Sequence, residues 1–547
     1  MINKINLVVG VDKKFQNSYL VTSLYQNGIH YSYVDDVETS VKNGIRVFIW
    51  GTSFDFKNIK EQIVVITDSF FFKDLFKLKK FTLHQANYFC IDKFSQKELN
   101  GFLLLERDII SFNTSENYGY CLNLDGEVIN NSGISIEKRN NIKFILFPFK
   151  ILNEIIGEKS DYRYFYSYST NDFYVEFGPT IDYHLLRKLC LNILIYAFND
   201  LKLPLLSIKH EVHKKSCYSI RIDSDGYNYD SLVKTLDLAI STNKKFNWFI
   251  DLYSWGKYGG LDYIHRLKAT NQNIQLHSFR HMTYKNFSNN YLNVLTGKYI
   301  LKRFNLTNNA LVGPFGFYNK NFQKVLDCNQ YLYSSEFGFN VNDMGSFPDN
   351  DFKKPIQIPT NNASITTLDI SLFNEKQVFK HLYESTIKLS NENGLCILYE
   401  HPLYGIDRYE SEYKKLIDSL DSQLEYIGID DYVNSLKTYF TQCLVHEKIN
   451  LNNINLDEYY YYNKFNGSIQ IDDCIQKDFE EEFYIPYDKA YLKKEILNER
   501  KSFYYKNFKS EYESSFPIFF VKYYLRSLLI IIISILKVKL KKVLKYS

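Results

Sequence analysis

At 547 residues the chain is too long for one ordinary domain, and about three or four are expected. A hydrophobic content of 45% beside 23% charged residues excludes a disordered chain. The net charge of +4, with acids and bases intermixed, leaves no electrostatic footprint for nucleic acid. Aromatic residues reach 17%, a share that serves cores more often than sugar platforms. The eight cysteines are scattered without a C-x-x-C pair, and several lie inside apolar runs. Reduced, buried thiols and a cytoplasmic location are therefore expected. The N-terminal stretch MINKINLVVGVDKKFQNSYL has too short an apolar run for a signal peptide.

In chain order, the runs INLVVGV (5–11), RVFIW (46–50) and QIVVIT (62–67) read as buried parallel strands. LVTSLYQNG between them has helical spacing and ends at Gly28. An open α/β sheet follows from that order. No phosphate-binding glycine loop follows any of these strands, so a module without its own chemistry is expected, resembling flavodoxin-like or amidotransferase-like domains. Residues 111–180 look like short strands with Asn/Gly turns, and 183–203 like a strong amphipathic helix closed by Pro204. This accessory α/β domain spans 1–205.

From 214 to 438 the strand–helix alternation resumes with longer spacing. CYSIRIDSD, NWFIDLY, IQLHS, LVGPFGFY, LYSSEF, PIQIPT, LCILYEH and LEYIGI are the strand candidates. Their number suits an irregular (β/α) barrel with its site at the C-terminal strand ends. A small β-rich appendage is expected over 439–510. The segment 516–547 ends in an apolar run and then Lys537, Lys539, Lys541, Lys542 and Lys545. It is too short in clean apolar length to span a bilayer and reads as a C-terminal helix lying on a membrane surface, on the inner face.

Four segments of the barrel region carry chemistry. Arg221-Ile222-Asp223-Ser224-Asp225 closes a strand, and period two turns Asp223 and Asp225 to one side. Two carboxylates there are unfavourable unless one binds a metal or a proton. His277-Ser278-Phe279-Arg280-His281 follows another strand, and i,i+4 histidines on a helical turn can hold one ion. Two His and one Asp leave coordination positions open, as a catalytic metal needs. Gly313-Pro314-Phe315-Gly316-Phe317-Tyr318-Asn319 is a tight loop before a helix. Leu398-Tyr399-Glu400-His401-Pro402 places one more histidine on the same rim.

In this order the segments resemble the motifs of the polysaccharide deacetylase family, the NodB-homology carbohydrate esterases. The H-[ST]-x-x-H match (His277, Ser278, His281) and the L-x-x-H match (Leu398, His401) are complete. Pro314, Gly316 and Asn319 match the third motif, but Gly313 stands where the family often has Arg. D-S-D replaces adjacent acids in the first motif, and 333–343 looks like a serine-and-glutamate form of the fourth. The resemblance covers 216–436 and implies a metal-dependent deacetylase of an N-acetylated carbohydrate. It implies that Asp225, His277 and His281 bind a divalent ion, zinc by expectation. Asp223 would be the general base and His401 the general acid, with the two Asp roles open to exchange. Pro314, Phe315, Gly316 and Tyr318 would form a substrate and oxyanion loop. Arg221 and Glu336 are candidate substrate contacts. The alternatives are hydrolysis of another non-peptide C–N bond, or a degenerate barrel that binds glycan without cleaving it.

Overall fold

The computed structural model describes residues 5–462, apart from 56, 95–96, 112–115, 124–126, 168, 171, 210–215, 447 and 450–454. In the N-terminal part, β-branched runs buried on both faces make the parallel strands, as in Asn6–Asp12, where all seven residues are buried. The sheet runs Tyr31–Val34, Asn6–Asp12, Ile45–Ile49, Ile63–Asp68 and Ile142–Phe147 in parallel. Two antiparallel strands, Ile134–Arg139 and Glu116–Tyr118, extend one edge. The helix Tyr19–Gln26 starts under Ser18, whose hydroxyl accepts from the Leu20 N–H. It stops before Gly28, at φ +69, where an added Cβ would lie 2.4 Å from the Tyr439 hydroxyl.

A doubly wound sheet of this order binds ligands at the crevice where the strand order reverses, beside Asn6–Asp12. Here side chains press on the Gly51 backbone just past the end of Ile45–Ile49. A Cβ on Gly51 would sit 2.4 Å from the Phe15 ring and 2.5 Å from Leu152.

The second sheet is parallel throughout and curls into a half-barrel. Its order is Ile356–Gln357, Tyr333–Ser334, Ala310–Leu311, Asn273–Leu276, Asn247–Ile250, Cys217–Ser224 and Leu395–Glu400, with Glu425–Tyr426 beside the start of Cys217–Ser224. All eight strands expected from the sequence are present, and the α/β barrel class holds. No ladder of the described residues joins Ile356–Gln357 to Leu395–Glu400, so the barrel has an open seam.

The core does not divide at residue 205. One apolar cluster runs from Val9, Tyr19 and Leu186 through Phe249, Val312 and Ile397 to Tyr432 and Phe440. Helix Tyr183–Asp200 carries much of the junction. Arg187 Nε lies 2.8 Å from Asp343 Oδ1, and His184 and Lys188 reach Glu392 at 2.7 and 2.8 Å. Strand Leu206–Ile208 pairs antiparallel with Tyr459–Tyr461, tying the chain after the barrel back to the first part. Helix Ile429–Cys443 overruns the boundary expected at 438, because Tyr439, Phe440 and Cys443 continue its buried stripe. The rest of the expected appendage past 462, and the segment 516–547, lie outside the described residues. Among the described residues no helix is long and apolar enough to cross a membrane.

Candidate metal centre

Each candidate side chain sits at a C-terminal strand end. Asp223 lies within Cys217–Ser224, and Asp225 is the next residue past its end. Helix Tyr229–Ser241 is capped by Asn228, so Asp225 is not the cap. His277 follows Asn273–Leu276, and its N–H still bonds the Ile250 carbonyl at 3.0 Å. His401 follows Leu395–Glu400. The two metal-site histidines are not on a helical turn as the spacing predicted. Ser278 takes φ +65, and the resulting bend folds His281 back over His277.

The result is a near-equilateral triangle. Nε2 of His277 and Nε2 of His281 each lie 3.1 Å from Asp225 Oδ1 and 3.1 Å from each other. His277 Nδ1 sits 3.0 Å from the Val312 carbonyl, to which it donates, leaving Nε2 as a lone pair. Two imidazole lone pairs and a carboxylate oxygen converging this closely need a cation or a proton between them. Edges near 3 Å suit ligands about 2.0–2.2 Å from a common ion. Asp225, His277 and His281 therefore fit a metal ion on the chemistry of the donor set.

The neighbouring charges agree. Burial would raise the Asp225 carboxyl, but the charges of His281 and His401 beside it hold it well below the usual carboxylate range. His401 Nε2 lies 3.2 Å from Asp225 Oδ2. Burial would lower the His401 imidazole, yet Asp225 and, further off, Asp223 and Glu400 bring it up to about 9.

Asp223 is 4% exposed and does not join the triangle. Its carboxylate is gripped by Arg221, two residues earlier on the same strand. Arg221 Nε is 2.6 Å from Oδ1, and the other fork contact is Nη2 to Oδ2. Nη1 donates to the Ser335 carbonyl at 2.8 Å and to its hydroxyl at 3.0 Å. Arg221 is 1% exposed, so it faces Asp223 and not an open surface. Glu336 is also buried, at 2%, and accepts from the Gly313 N–H at 2.9 Å and from the Ser334 hydroxyl. Burial brings its carboxyl up to about 7.

In the loop, Pro314 opens a single tight turn with Phe315 at φ +62 and Gly316 at φ +67. The Gly316 and Phe317 N–H groups bond Gly313 and Pro314 carbonyls at 3.1 and 3.3 Å. The Phe315 ring stands edge-on to His281, with centroids 4.5 Å apart. Tyr318 turns away and packs on Phe339 at 4.8 Å, and Asn319 caps the helix Lys320–Cys328. One acid near the histidines is absent from the sequence reading. Asp251 ends the Asn247–Ile250 strand, is 1% exposed, and accepts from the Ser254 hydroxyl at 2.5 Å. Burial raises its carboxyl, and His281 and His277 oppose that rise. Its signal was available, as the third acid or histidine at a barrel strand end.

No family model matches the chain, and no curated protein matches it. Among solved structures the chain is similar to polysaccharide deacetylases, the family its motifs resemble. A protein described as a polysaccharide deacetylase from Mycobacterium smegmatis is 12% identical, over 43% of this chain and 94% of that one, with a TM-score of 0.36. Another, from Pseudomonas aeruginosa PAO1, is 15% identical over 40% and 90%, with a TM-score of 0.34. An allantoinase is 14% identical over 41% and 90%, with a TM-score of 0.35.

Proposed function

We propose that the chain is a metal-dependent hydrolase that removes N-acetyl groups from a sugar or polysaccharide, a cell-surface glycan or its lipid-linked precursor. One observation carries this. The Asp225–His277–His281 triangle shares its rim with an arginine-held carboxylate, Asp223, and with a histidine, His401, 3.2 Å from Asp225. The N, N, O donor set suits zinc. When bound, the ion polarises an acetamide carbonyl and lowers the pKa of a water.

The protein's own groups do the rest. Asp223, fixed by the Arg221 fork, takes a proton from the water. His401, 3.2 Å from Asp225, gives a proton to the leaving amine. Phe315 walls the His281 side of the site. The scattered cysteines, without a C-x-x-C pair, support a cytoplasmic location. The substrate is an N-acetylated carbohydrate and not nucleic acid, and the segment 516–547 would hold the enzyme at an anionic membrane surface.

Metal content tests the site. The wild type should carry one zinc, and the His277→Ala/His281→Ala double variant should carry none while keeping its fold. Full occupancy in the double variant would place the ion elsewhere.

A further inference from the structure

The barrel's open seam is covered by a segment from outside the barrel. Strands Ser160–Ser167 and Asp172–Pro179 form an antiparallel hairpin that precedes helix Tyr183–Asp200. Phe165, Tyr174 and Phe177 of this hairpin belong to the same apolar cluster as the barrel residues Ile220, Trp248 and Leu398. Its polar contacts fall on both sides of the seam. The Tyr174 hydroxyl donates to Asn362 Oδ1 at 2.7 Å, just beyond Ile356–Gln357. Ser167 Oγ lies 2.7 Å from His381 Nδ1. Phe177 meets Phe317, at the end of the Pro314 loop, edge to face at 4.8 Å.

Among the described side chains, Glu176 is a charged residue of this contact. Its Oε2 accepts from the Tyr399 hydroxyl at 2.9 Å and from the Thr367 hydroxyl at 2.7 Å, and its Oε1 from the Phe177 N–H at 2.8 Å. Tyr399 is 3% exposed, and a buried phenol needs such a partner to hold its ring in one place. That ring has two neighbours in the site. It stands at 78° to the His401 imidazole with centroids 5.9 Å apart, and the Arg221 guanidinium lies 5.8 Å from its centroid. One aromatic ring thus touches both the arginine that grips Asp223 and the histidine on the opposite side of the triangle.

We propose that the hairpin is part of the catalytic site, and that Glu176 is a positioning residue that acts through Tyr399 on His401 and on the Arg221–Asp223 pair. A carboxylate contributed by the first part of the chain then completes the barrel's site, and 1–205 is more than an accessory. Only the kinetic half of this proposal rests on the deacetylase reading.

The test uses the full chain with Glu176→Gln, Tyr399→Phe and the double variant. Gln keeps the size of Glu176 and loses its charge-assisted acceptance. The first readout needs no activity. The His401 ring signal, assigned by its loss in His401→Gln, should shift in both single variants in a histidine-labelled NMR spectrum. The second readout is kinetic. Each single variant should lower kcat for acetate release about 10- to 100-fold with KM unchanged, because a displaced catalytic group slows chemistry more than binding. The double variant should lose no more than the worse single one, and Tm should stay within about 4 °C. An unshifted His401 signal in Glu176→Gln overturns the proposal, as do additive losses or a kcat that falls only with Tm. A His401 signal that shifts in the variants of an enzyme whose wild type releases no acetate would sustain the positioning and remove the deacetylase reading instead.

Discussion

Arg221 and Asp223 are two residues apart on one strand, and the guanidinium of the first holds the carboxylate of the second in a two-point fork, with Nε 2.6 Å from Oδ1. The resemblance left Asp223 without an orienting arginine, because Gly313 occupies that motif position. The structure supplies an arginine from Asp223's own strand. Three ring faces enclose it, Phe249, Phe337 and Tyr399 at 5.5, 5.4 and 5.8 Å.

Arg221→Ala should be costly, because it leaves a buried carboxylate unpaired, and a loss of about 3–5 kcal/mol in urea unfolding is expected. Arg221→Lys keeps the charge but not the planar fork. It should retain much of the stability and lower kcat about 10- to 100-fold through a loosened Asp223. Wild-type kinetics in Arg221→Lys would mean that the fork does not orient the base.

Asp223→Asn and His401→Ala should each fold, keep their zinc, and lose about 10²–10⁴ in acetate release. Neither belongs to the Asp225–His277–His281 triangle, so metal content separates their role from ligation. A variant of either residue with wild-type turnover would remove that residue from the chemistry.

The ion pair at the junction gives a pH signature. Burial opposes ionisation of Asp343, but Arg187 and His184 outweigh it and hold the carboxyl well below its usual range. A carboxyl depressed in the folded state adds stability above its unfolded pKa of about 3.9, and loses it as pH falls further. Asp343→Asn should therefore be about 3–5 kcal/mol less stable than wild type at pH 7, where Arg187 loses the carboxylate it pairs with. The gap should narrow below about pH 4. A gap that is the same at pH 7 and pH 3 would show that the pair contributes no charge-dependent stability.

Because one core runs through both sheets, cutting the chain between 209 and 216 should not release two bodies. A protease site inserted there should yield two fragments that co-elute on gel filtration until denaturant is added. Separate elution in buffer would show that the shared core is not what joins them.

The sequence made the strands of the second sheet and three of the first legible because their apolar runs are short and closed by turn residues, as at 5–11 and 395–400, while Tyr31–Val34, half-buried, carries no such run. It also brought out the four site segments, since acids and histidines stand out at the ends of apolar strands. The bend at His277 was not legible, because nothing in a serine announces φ +65 at position 278. The Arg221–Asp223 fork was within reach, since period two puts both on one face, but the same exposed-looking motif suggested a substrate contact. The hairpin contact lay out of reach: Glu176 and Tyr399 are 223 residues apart, and no local pattern links them.

The most direct test of the central claim is acetate release from N-acetylglucosamine oligomers by the full chain before chelation, after chelation, and after zinc is returned. The account predicts release by the native protein, loss with the chelator, and recovery with zinc. It also predicts that the His277→Ala/His281→Ala variant stays inactive at every step. Release that survives chelation, or zinc restored to the triangle with no acetate freed, would contradict it.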